Sequence, residues 1–364
     1  MVKIITVVGA RPQFIKAAAF CEALKKQRGP VVNHKLIHTG QHFDDKMSDV
    51  FFKELGIGSP DFNLGISGGT HASMTGRMME CVESILMKEQ PDWVLLYGDT
   101  NSTIAGALAA AKLNIKVAHV EAGLRSFNNR MPEEINRIVT DRLSTLLFCP
   151  TDTASANLRS EGITQGVHIV GDVMYDVARH FATIAYNRSN VLTKLGLKGT
   201  PYVLATCHRA ENTDDPERLA GILRALQEIS HSHRVVMPFH PRTRLRVFSG
   251  KMEPLLAGLQ IIDPISYLDM LLLESNAVAI ITDSGGMQKE AFFSKVPCIT
   301  TRDETEWTET VTLGWNVLTG ANSVRIVEAF HNIKSRKPKS ADPYGQGNAA
   351  ELILESILEV SRFQ

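Results

Sequence analysis

The sequence contains no CxxC pair, no long apolar run and no excess of charge of either sign. Its five cysteines are scattered singly, which is typical of reduced thiols and argues against a disulfide framework or a structural zinc site. Basic and acidic residues number 39 each, so no overall field attracts nucleic acid or an anionic membrane. No apolar stretch approaches the roughly 18 residues of a membrane span, and the first residues predict a strand rather than a signal peptide. We therefore expect a cytoplasmic protein without nucleic-acid or membrane partners.

Common nucleotide and metal motifs are also missing. The sequence has no Walker A motif, no HExxH motif and no set of protein-kinase motifs. Its twelve histidines do not show the spacing of metal ligands. A match to the dinucleotide fingerprint at Gly345, Gly347 and Ala350 follows a loop instead of a strand, so it lacks the context that this fingerprint requires. We therefore expect chemistry that uses neither a bound cofactor nor a metal ion.

Short β-branched runs alternate with helical patterns along the 364 residues, a length suited to two domains. This alternation predicts an α/β protein with two doubly wound parallel-sheet, Rossmann-like domains that face each other across a cleft. We expect an N-terminal domain over residues 1–170, a C-terminal domain over residues 171–345 and a last segment, residues 346–364, that contains an amphipathic helix over Ala349–Arg362. The predicted strands are Lys3–Val8, Lys35–His38, Trp93–Tyr97, Lys116–Val120, Tyr202–Ala205, Val235–Phe239, Ala277–Thr282 and Pro297–Thr300.

Glycine and polar residues follow the predicted strands, where open parallel sheets hold their ligands. The turn Ser284-Gly285-Gly286 stands between a strand and a helix, and bare N–H groups at such a helix start form an anion site. Glu290, about one turn later, is placed to accept hydrogen bonds from the hydroxyls of a ribose. The alternative is a tight turn followed by a surface glutamate, but the polar pair Asp283-Ser284 favours a phosphate site.

Cations and histidines occupy similar positions after strands. Arg11 and Lys16 lie around the start of the first helix and Arg302 follows the last predicted strand, which suits a substrate pyrophosphate. His208 is a candidate for acid/base chemistry or diphosphate contact, and His240 is a similar candidate. The alternatives are solvated surface charges for the cations, and a helix cap or hydrogen-bonded cleft residue for the histidines.

Three acids stand out as candidates for proton transfer. Asp99 and Glu121 each end an apolar strand, where a carboxylate is costly unless it is paired or functional. Glu133 opens a predicted helix, four residues before Arg137, so a helix salt bridge worth about 0.3–0.5 kcal/mol is its alternative role. The adjacent Glu134 is the rival candidate for the chemistry of Glu133.

The ordered motifs resemble those of the non-hydrolysing UDP-N-acetylglucosamine 2-epimerases. They are GARPQFIK, TGQH, GDTNST, HVEAGLRS, MPEEINR, CHRAEN, HPR, TDSGGMQKEA and TRDETEW. The resemblance runs from residue 3 to about residue 320, and as an ordered set it is highly specific. It implies the two-domain B-type glycosyltransferase fold, with the final helix packed against the first domain.

The resemblance also implies roles for the residues that match family motifs. The implied catalytic set is Asp99, Glu121, Glu133 and His208, with Arg137 beside them. The implied contacts of UDP are Ser284, Gly285, Gly286, Glu290 and Arg302, with Arg11 and Lys16 near the diphosphate. Gln41 and His42 match a motif tied to the sugar and to a site for an activating nucleotide sugar.

Several positions depart from the commoner members of that family. Ala10 and Gln13 replace threonine and glutamate, Cys207 replaces glycine, and Trp307 replaces arginine. These departures, with the motifs FDDKMSD and GGTHASMTGRMM, resemble the subgroup that epimerises UDP-2,3-diacetamido-2,3-dideoxyglucuronate. Arg130 is the candidate partner for the carboxylate of such a sugar, and its alternative is an exposed loop arginine.

The reaction that the resemblance implies is C2 epimerisation by elimination of UDP to a 2-acetamidoglycal and re-addition. The enzyme would be an isomerase that makes precursors of surface polysaccharides such as lipopolysaccharide O-antigen, and a homodimer. Two alternatives remain open: a UDP-sugar-dependent glycosyltransferase of the same fold, and a nucleotide-sugar sensor without turnover. Candidate acids at three positions argue against both.

Overall fold

The computed structural model describes residues 1–41, 57–335 and 338–362. All strand pairs in it are parallel, and they form two separate sheets with helical connections, so the predicted α/β class of two doubly wound sheets is confirmed. The chain divides into two compact units: unit 1 comprises Met1–Val177 and Asp342–Gln364, and unit 2 comprises Ala178–Ala341. No helix in the described ranges is both long and apolar enough to cross a membrane.

Unit 1 contains, within the described ranges, a seven-stranded sheet in the order β3-β2-β1-β4-β5-β6-β7. Its strands are β1 (Val2–Val8), β2 (Val32–His38), β3 (Phe62–Asn63), β4 (Trp93–Tyr97), β5 (Lys116–Val120), β6 (Leu146–Cys149) and β7 (Val167–Ile169). Its helices are α1 (Arg11–Lys26), α2 (His71–Glu89), α3 (Asn101–Lys112), α4 (Pro132–Leu143), α5 (Asp152–Ser160), the first part of α6 (Val173–Arg188), and α15 (Ala349–Arg362).

The central strands of unit 1 are apolar along their length because helices cover both faces of a parallel sheet. All five residues of β4 are buried, and Val94 and Leu96 pack in one cluster with Ile5 and Val7 of β1. Tyr97 at the end of β4 lies opposite Val120 at the end of β5. The residues that leave these two strands therefore emerge side by side.

Unit 2 contains, again within the described ranges, a six-stranded sheet in the order β10-β9-β8-β11-β12-β13. Its strands are β8 (Tyr202–Thr206), β9 (Arg234–Pro238), β10 (Leu259–Ile262), β11 (Ala279–Thr282), β12 (Cys298–Thr300) and β13 (Asn316–Leu318). Its helices are the rest of α6, α7 (Val191–Lys194), α8 (Ala210–Thr213), α9 (Pro216–Ser230), α10 (Pro241–Ser249), α11 (Tyr267–Asn276), α12 (Gly285–Phe293), α13 (Thr308–Thr312) and α14 (Ser323–His331), with 3-10 turns at Glu253–Leu256 and Ile333–Ser335.

The register of unit 2 aligns three threonines across its centre. Thr282 of β11 lies opposite Thr206 of β8 and Thr300 of β12. The hydroxyls of Thr206 and Thr282 share a hydrogen bond of 2.7 Å. The three loops that follow these strands therefore begin at one level of the sheet.

The last helix, α15, belongs to unit 1 and packs against α1. The indole N–H of Trp93 donates to Ser361 Oγ at 2.9 Å, which ties this helix to β4. Asp176 Oδ2 accepts the backbone N–H of Ala350 at 2.8 Å and so occupies the N-terminus of α15. Burial raises the pKa of Asp176 to about 6, although the hydrogen bonds from Ala350 and Ala349 oppose the shift.

This raised pKa predicts a pH dependence of stability. The folded protein binds a proton at Asp176 more tightly than the unfolded chain does. The contribution of this proton to the free energy of unfolding is therefore complete below about pH 4 and is lost as the pH rises through about 6. Asp176→Asn stays neutral and keeps an acceptor oxygen. We expect its free energy of unfolding, relative to that of the wild type, to rise by about 1–3 kcal/mol from pH 5 to pH 7.5. Urea unfolding at the two pH values measures this difference. Parallel pH profiles of the two proteins would contradict the assignment.

Candidate active site

The loop between β1 and α1 is held by the side chain of Gln13. Its Oε1 accepts the N–H groups of Gly9 at 2.8 Å and Ala10 at 3.1 Å. Its Nε2 donates to the carbonyl of Tyr97 at 2.8 Å and to Thr103 Oγ1 at 2.9 Å. A glutamate could accept the first two hydrogen bonds but could not donate to a carbonyl. The glutamine therefore joins the start of α1 to the end of β4.

Lys16, in α1, and Glu121, directly after β5, form an ion pair, and the two residues are only 8% and 6% exposed. Glu121 has the left-handed backbone angle φ +69°, which costs a non-glycine residue about 1–3 kcal/mol. Gly98 lies against this pair: a Cβ there would be 3.1 Å from Glu121 Oε2 and 3.5 Å from Lys16 Nζ. The structure thus joins two of the predicted site residues and strains the backbone at one of them.

Asp99 is paired with Arg137, a residue of α4 that is only 5% exposed. Arg137 also contacts Glu134 Oε2 at 3.0 Å, so one guanidinium serves two carboxylates. The side chain of Asn136 donates to the carbonyl of Asp99 at 2.8 Å. Helix α4 therefore fixes both the backbone and the carboxylate of Asp99.

The structure distinguishes the two adjacent glutamates of α4. Glu134 is 1% exposed, and its carboxylate accepts the N–H groups of Ser126 and Phe127 and the hydroxyl of Ser126, at 2.9–3.1 Å. Glu133 is partly exposed, and its side chain makes no hydrogen bond or ion pair with the residues that the structure describes. Glu134 is thus engaged in holding the loop, whereas Glu133 is accessible for chemistry.

Sequence reasoning missed a buried histidine and aspartate behind these acids. His119 Nδ1 contacts Asp141 Oδ1 at 2.7 Å, and its Nε2 donates to the carbonyl of Gly98 at 2.8 Å. Asp141 also accepts the N–H of Gly123 and contacts Arg125 at 2.7 Å. Burial alone would raise the pKa of Asp141, but the hydrogen bond from His119 and the charges of His119 and Arg125 hold it below its usual value. A lone histidine within the apolar run KVAHV was the available signal.

Of the three remaining predicted residues of unit 1, the structure describes two, Gln41 and Arg11. Gln41 Oε1 accepts the N–H of Ser102 at 3.1 Å and its hydroxyl at 2.8 Å, beside the loop that carries Asp99. Arg11 is the first residue of α1. His42 lies outside the described residues.

The carboxylate of Asp283 joins the strand ends of unit 2. It accepts the N–H groups of His208 and Arg209 at 3.0 Å and the side-chain amide of Asn212 at 3.2 Å. Asn212 also donates to the carbonyl of Thr301 at 3.0 Å. The loops after β8, β11 and β12 are therefore bound to one another, and they carry His208, Ser284 and Arg302.

The two predicted histidines lie together. The ring centres of His208 and His240 are 5.5 Å apart, and His208 Nδ1 is 3.8 Å from Asp283 Oδ1. Burial lowers the pKa of His208, and the Asp283 carboxylate opposes this shift. His208 is therefore a neutral hydrogen-bonding group at neutral pH. His240 is exposed, and its Nδ1 accepts the N–H of Arg242 at 3.2 Å to cap α10.

Helix α12 begins at the predicted phosphate turn. Ser284 is its N-cap, and a Cβ at Gly286 would meet no atom closer than Ser284 Oγ at 3.8 Å. A Cβ at Gly285 would lie 2.9 Å from Glu306 Oε1, so this glycine permits close packing as well as ligand approach. Arg302, 1% exposed, contacts the same Glu306 at 3.0 Å.

Glu290 lies further along α12 and is 7% exposed. Its burial excludes the alternative of a surface glutamate, although its ribose role stays a prediction. Within the described ranges, no three His, Cys, Asp or Glu side chains are grouped so that they could hold a metal ion.

Comparison with known proteins identifies the family. The profile described as UDP-N-acetylglucosamine 2-epimerase matches residues 23–358. The chain belongs to the UDP-N-acetylglucosamine 2-epimerase family. A "UDP-2,3-diacetamido-2,3-dideoxy-D-glucuronate 2-epimerase" of Pseudomonas aeruginosa is 50% identical, over 98% of this chain and 100% of that protein. A "UDP-N-acetylglucosamine 2-epimerase homolog" of Methanococcus maripaludis is 49% identical, over 98% and 99% of the two chains.

A solved epimerase structure has the same fold over nearly the whole chain. The UDP-GlcNAc 2-epimerase of Methanocaldococcus jannaschii, crystallised with UDP-GlcNAc and UDP, superposes with a TM-score of 0.91 at 42% identity. The match covers 98% of this chain and 99% of that one. The resemblance inferred from the motifs, and the B-type glycosyltransferase fold that it implied, are confirmed for this member of an isomerase family.

The environments of the two adjacent glutamates predict losses of stability of different size when each is replaced by glutamine. Glu134→Gln replaces one acceptor oxygen with N–H donors facing the N–H groups of Ser126 and Phe127, and it removes the charge beside Arg137. We expect it to lower the free energy of unfolding by about 1–3 kcal/mol. The matched control Glu133→Gln should change it by less than about 0.5 kcal/mol. Urea unfolding of both variants tests this, and equal losses would contradict the distinction.

Proposed function

We propose that the chain catalyses C2 epimerisation of a UDP-N-acetylhexosamine without a bound cofactor or metal ion. The observation that carries the proposal is the pair of carboxylate–cation contacts at neighbouring strand ends, Glu121 with Lys16 and Asp99 with Arg137. Such contacts hold acidic groups in fixed orientations for proton transfer. Unit 1 supplies the acids, and unit 2 binds UDP.

The hydrogen at C2 of the sugar is not adjacent to a carbonyl, so direct proton abstraction is difficult. In the proposed route, the C2 proton is transferred to a base while the C1–O bond breaks and UDP leaves with the electron pair. The intermediate is a 2-acetamidoglycal. UDP then adds back at C1, and a proton is delivered to the opposite face of C2. The route needs two acid/base groups on opposite faces of C2, and Asp99, Glu121 and Glu133 are the proposed candidates for these two roles.

The leaving UDP needs hydrogen-bond donors and positive charge at its phosphates. We assign this role in unit 2 to the start of α12 at Ser284, Gly285 and Gly286, and to Arg302 and His208. A neutral His208 imidazole donates one hydrogen bond, in keeping with its lowered pKa. Further proposed contacts are Glu290 with the ribose, Arg11 and Lys16 with the diphosphate, and His240 beside His208.

The sugar that we propose is UDP-2,3-diacetamido-2,3-dideoxyglucuronate, with UDP-GlcNAc as the alternative. The support is the 50% identity to the Pseudomonas aeruginosa epimerase of that name. Arg130 is exposed on the loop before Glu133 and is the proposed partner of the uronate carboxylate. The activating site at Gln41 and His42, the homodimer, the cytoplasmic location and a role in surface polysaccharide synthesis remain predictions.

A glycosyltransferase of the same fold is the main competing function. It would bind UDP through similar groups, but it needs one base and a groove for an acceptor. The accessible Glu133, in addition to the paired Asp99 and Glu121, favours the epimerase.

Incubation in deuterated water tests the proposed reaction. We expect the protein, without added cofactor, to convert the diacetamido-uronate, or UDP-GlcNAc, into a C2 epimer that carries deuterium at C2. NMR of the product measures both the configuration and the label. Retention of the original C2 hydrogen would falsify the elimination route, and loss of all activity with a chelator would contradict the proposal that no metal ion is needed.

Removal of each proposed acid should affect turnover more than binding. We expect Asp99→Asn, Glu121→Gln and Glu133→Gln each to lower kcat by about 10²–10⁴-fold, with small changes in the Kd of the UDP-sugar. Steady-state kinetics and calorimetric titration separate the two effects. If Glu133→Gln is nearly as active as the wild type while a folded Glu134→Gln is inactive, the roles of this pair are reversed.

A further inference from the structure

Phe127 combines two features that are costly for a phenylalanine. Phe127 is 76% exposed, and among the aromatic residues of the described ranges only Tyr186, at 78%, is more exposed. The backbone of Phe127 has φ +58°, in the left-handed region where a bulky residue is a genuine outlier. Strained residues of this kind concentrate at sites that bind or react, where the surrounding structure holds them in place.

Glu134 holds the backbone at Phe127. The buried Glu134 carboxylate accepts the Phe127 N–H at 2.9 Å and holds the preceding Ser126 through both its N–H and its hydroxyl. The same carboxylate contacts Arg137, which is paired with Asp99. A chain of direct contacts therefore connects the backbone of Phe127 to a proposed catalytic acid.

The position of Phe127 in the chain places it between two further proposed acids. It lies six residues after Glu121, at the end of β5, and six residues before Glu133, at the start of α4. The loop that joins these acids thus presents an aromatic ring to solvent instead of burying it. Exposure has no benefit for folding, because a buried ring would stabilise the protein.

We propose that Phe127 contacts the bound sugar and favours UDP-2,3-diacetamido-2,3-dideoxyglucuronate, which has an acetamido group at C3, over UDP-GlcNAc, which has a hydroxyl there. The inference rests on the proposed function and specifies its substrate. An aromatic ring packs favourably against the methyl group and C–H bonds of an acetamido substituent. A hydroxyl placed against the same ring loses its hydrogen bonds to water without replacement.

Two variants remove the ring but differ in backbone strain. Phe127→Ala keeps a Cβ in the left-handed conformation, whereas Phe127→Gly relieves it. We expect both to lower the ratio of kcat/KM for UDP-2,3-diacetamido-2,3-dideoxyglucuronate over UDP-GlcNAc by at least about tenfold, the discrimination typical of one apolar group. Phe127→Leu, which restores apolar volume, should recover part of the ratio.

Stability separates a substrate contact from a structural role. We expect the Tm of Phe127→Gly to equal or exceed that of Phe127→Ala by about 1–4 °C, and neither to fall far below the wild type. Gln90→Gly is the matched control, because Gln90 is an exposed residue of unit 1 with φ +45° at the end of α2. Its specificity ratio should stay within twofold of the wild type.

Three outcomes would overturn the inference. The first is an unchanged ratio in both ring-removing variants of an active enzyme. The second is a large fall in Tm in Phe127→Gly, which marks a folding role. The third is a change in oligomeric state with the ratio unchanged, which marks a contact with a second copy of the chain. A wild type that turns over neither sugar would instead overturn the proposed function together with this inference.

Discussion

Buried carboxylates that accept several hydrogen bonds hold the loops of both units. At the end of a parallel strand, backbone N–H groups leave the sheet and lose their ladder partners, so they need other acceptors. Asp283 supplies them in unit 2, and Asp141 and Glu134 supply them in unit 1. Removal of such a carboxylate leaves several buried donors without acceptors, which is why its cost exceeds that of a surface ion pair.

This arrangement separates the acids of unit 1 that support the loops from those that we propose to react. A carboxylate whose oxygens are already occupied, such as that of Glu134, contributes to stability and has little capacity left for a substrate. Glu133, one residue earlier, is partly exposed. Asp99 and Glu121 are intermediate, because each is oriented by one cation. The same helix can therefore serve folding on its buried face and chemistry at its first turn.

The central strands could be predicted from the sequence because each is a continuous apolar run between helices. The C-terminal helix was predicted over its observed range, Ala349–Arg362, from its amphipathic spacing. Strands of two to four residues at or near the sheet edges were missed: β3, β6, β7, β10 and β13. These runs are too short for a periodic pattern, and pairing with a neighbouring strand stabilises them more than their own residues do.

The sequence alone determined the α/β class, the family and the motifs after each strand, because these depend on local patterns and their order. Only the tertiary structure decided how the charged side chains pair. Local spacing suggested a salt bridge between Glu133 and Arg137, yet the fold brings Arg137 to Asp99 and Glu134. Spacing along a helix cannot reveal the pair with Asp99, because Asp99 reaches Arg137 from a strand end 38 positions earlier in the chain. Pairing between distant segments is set by the sheet order, which places β4 beside β5.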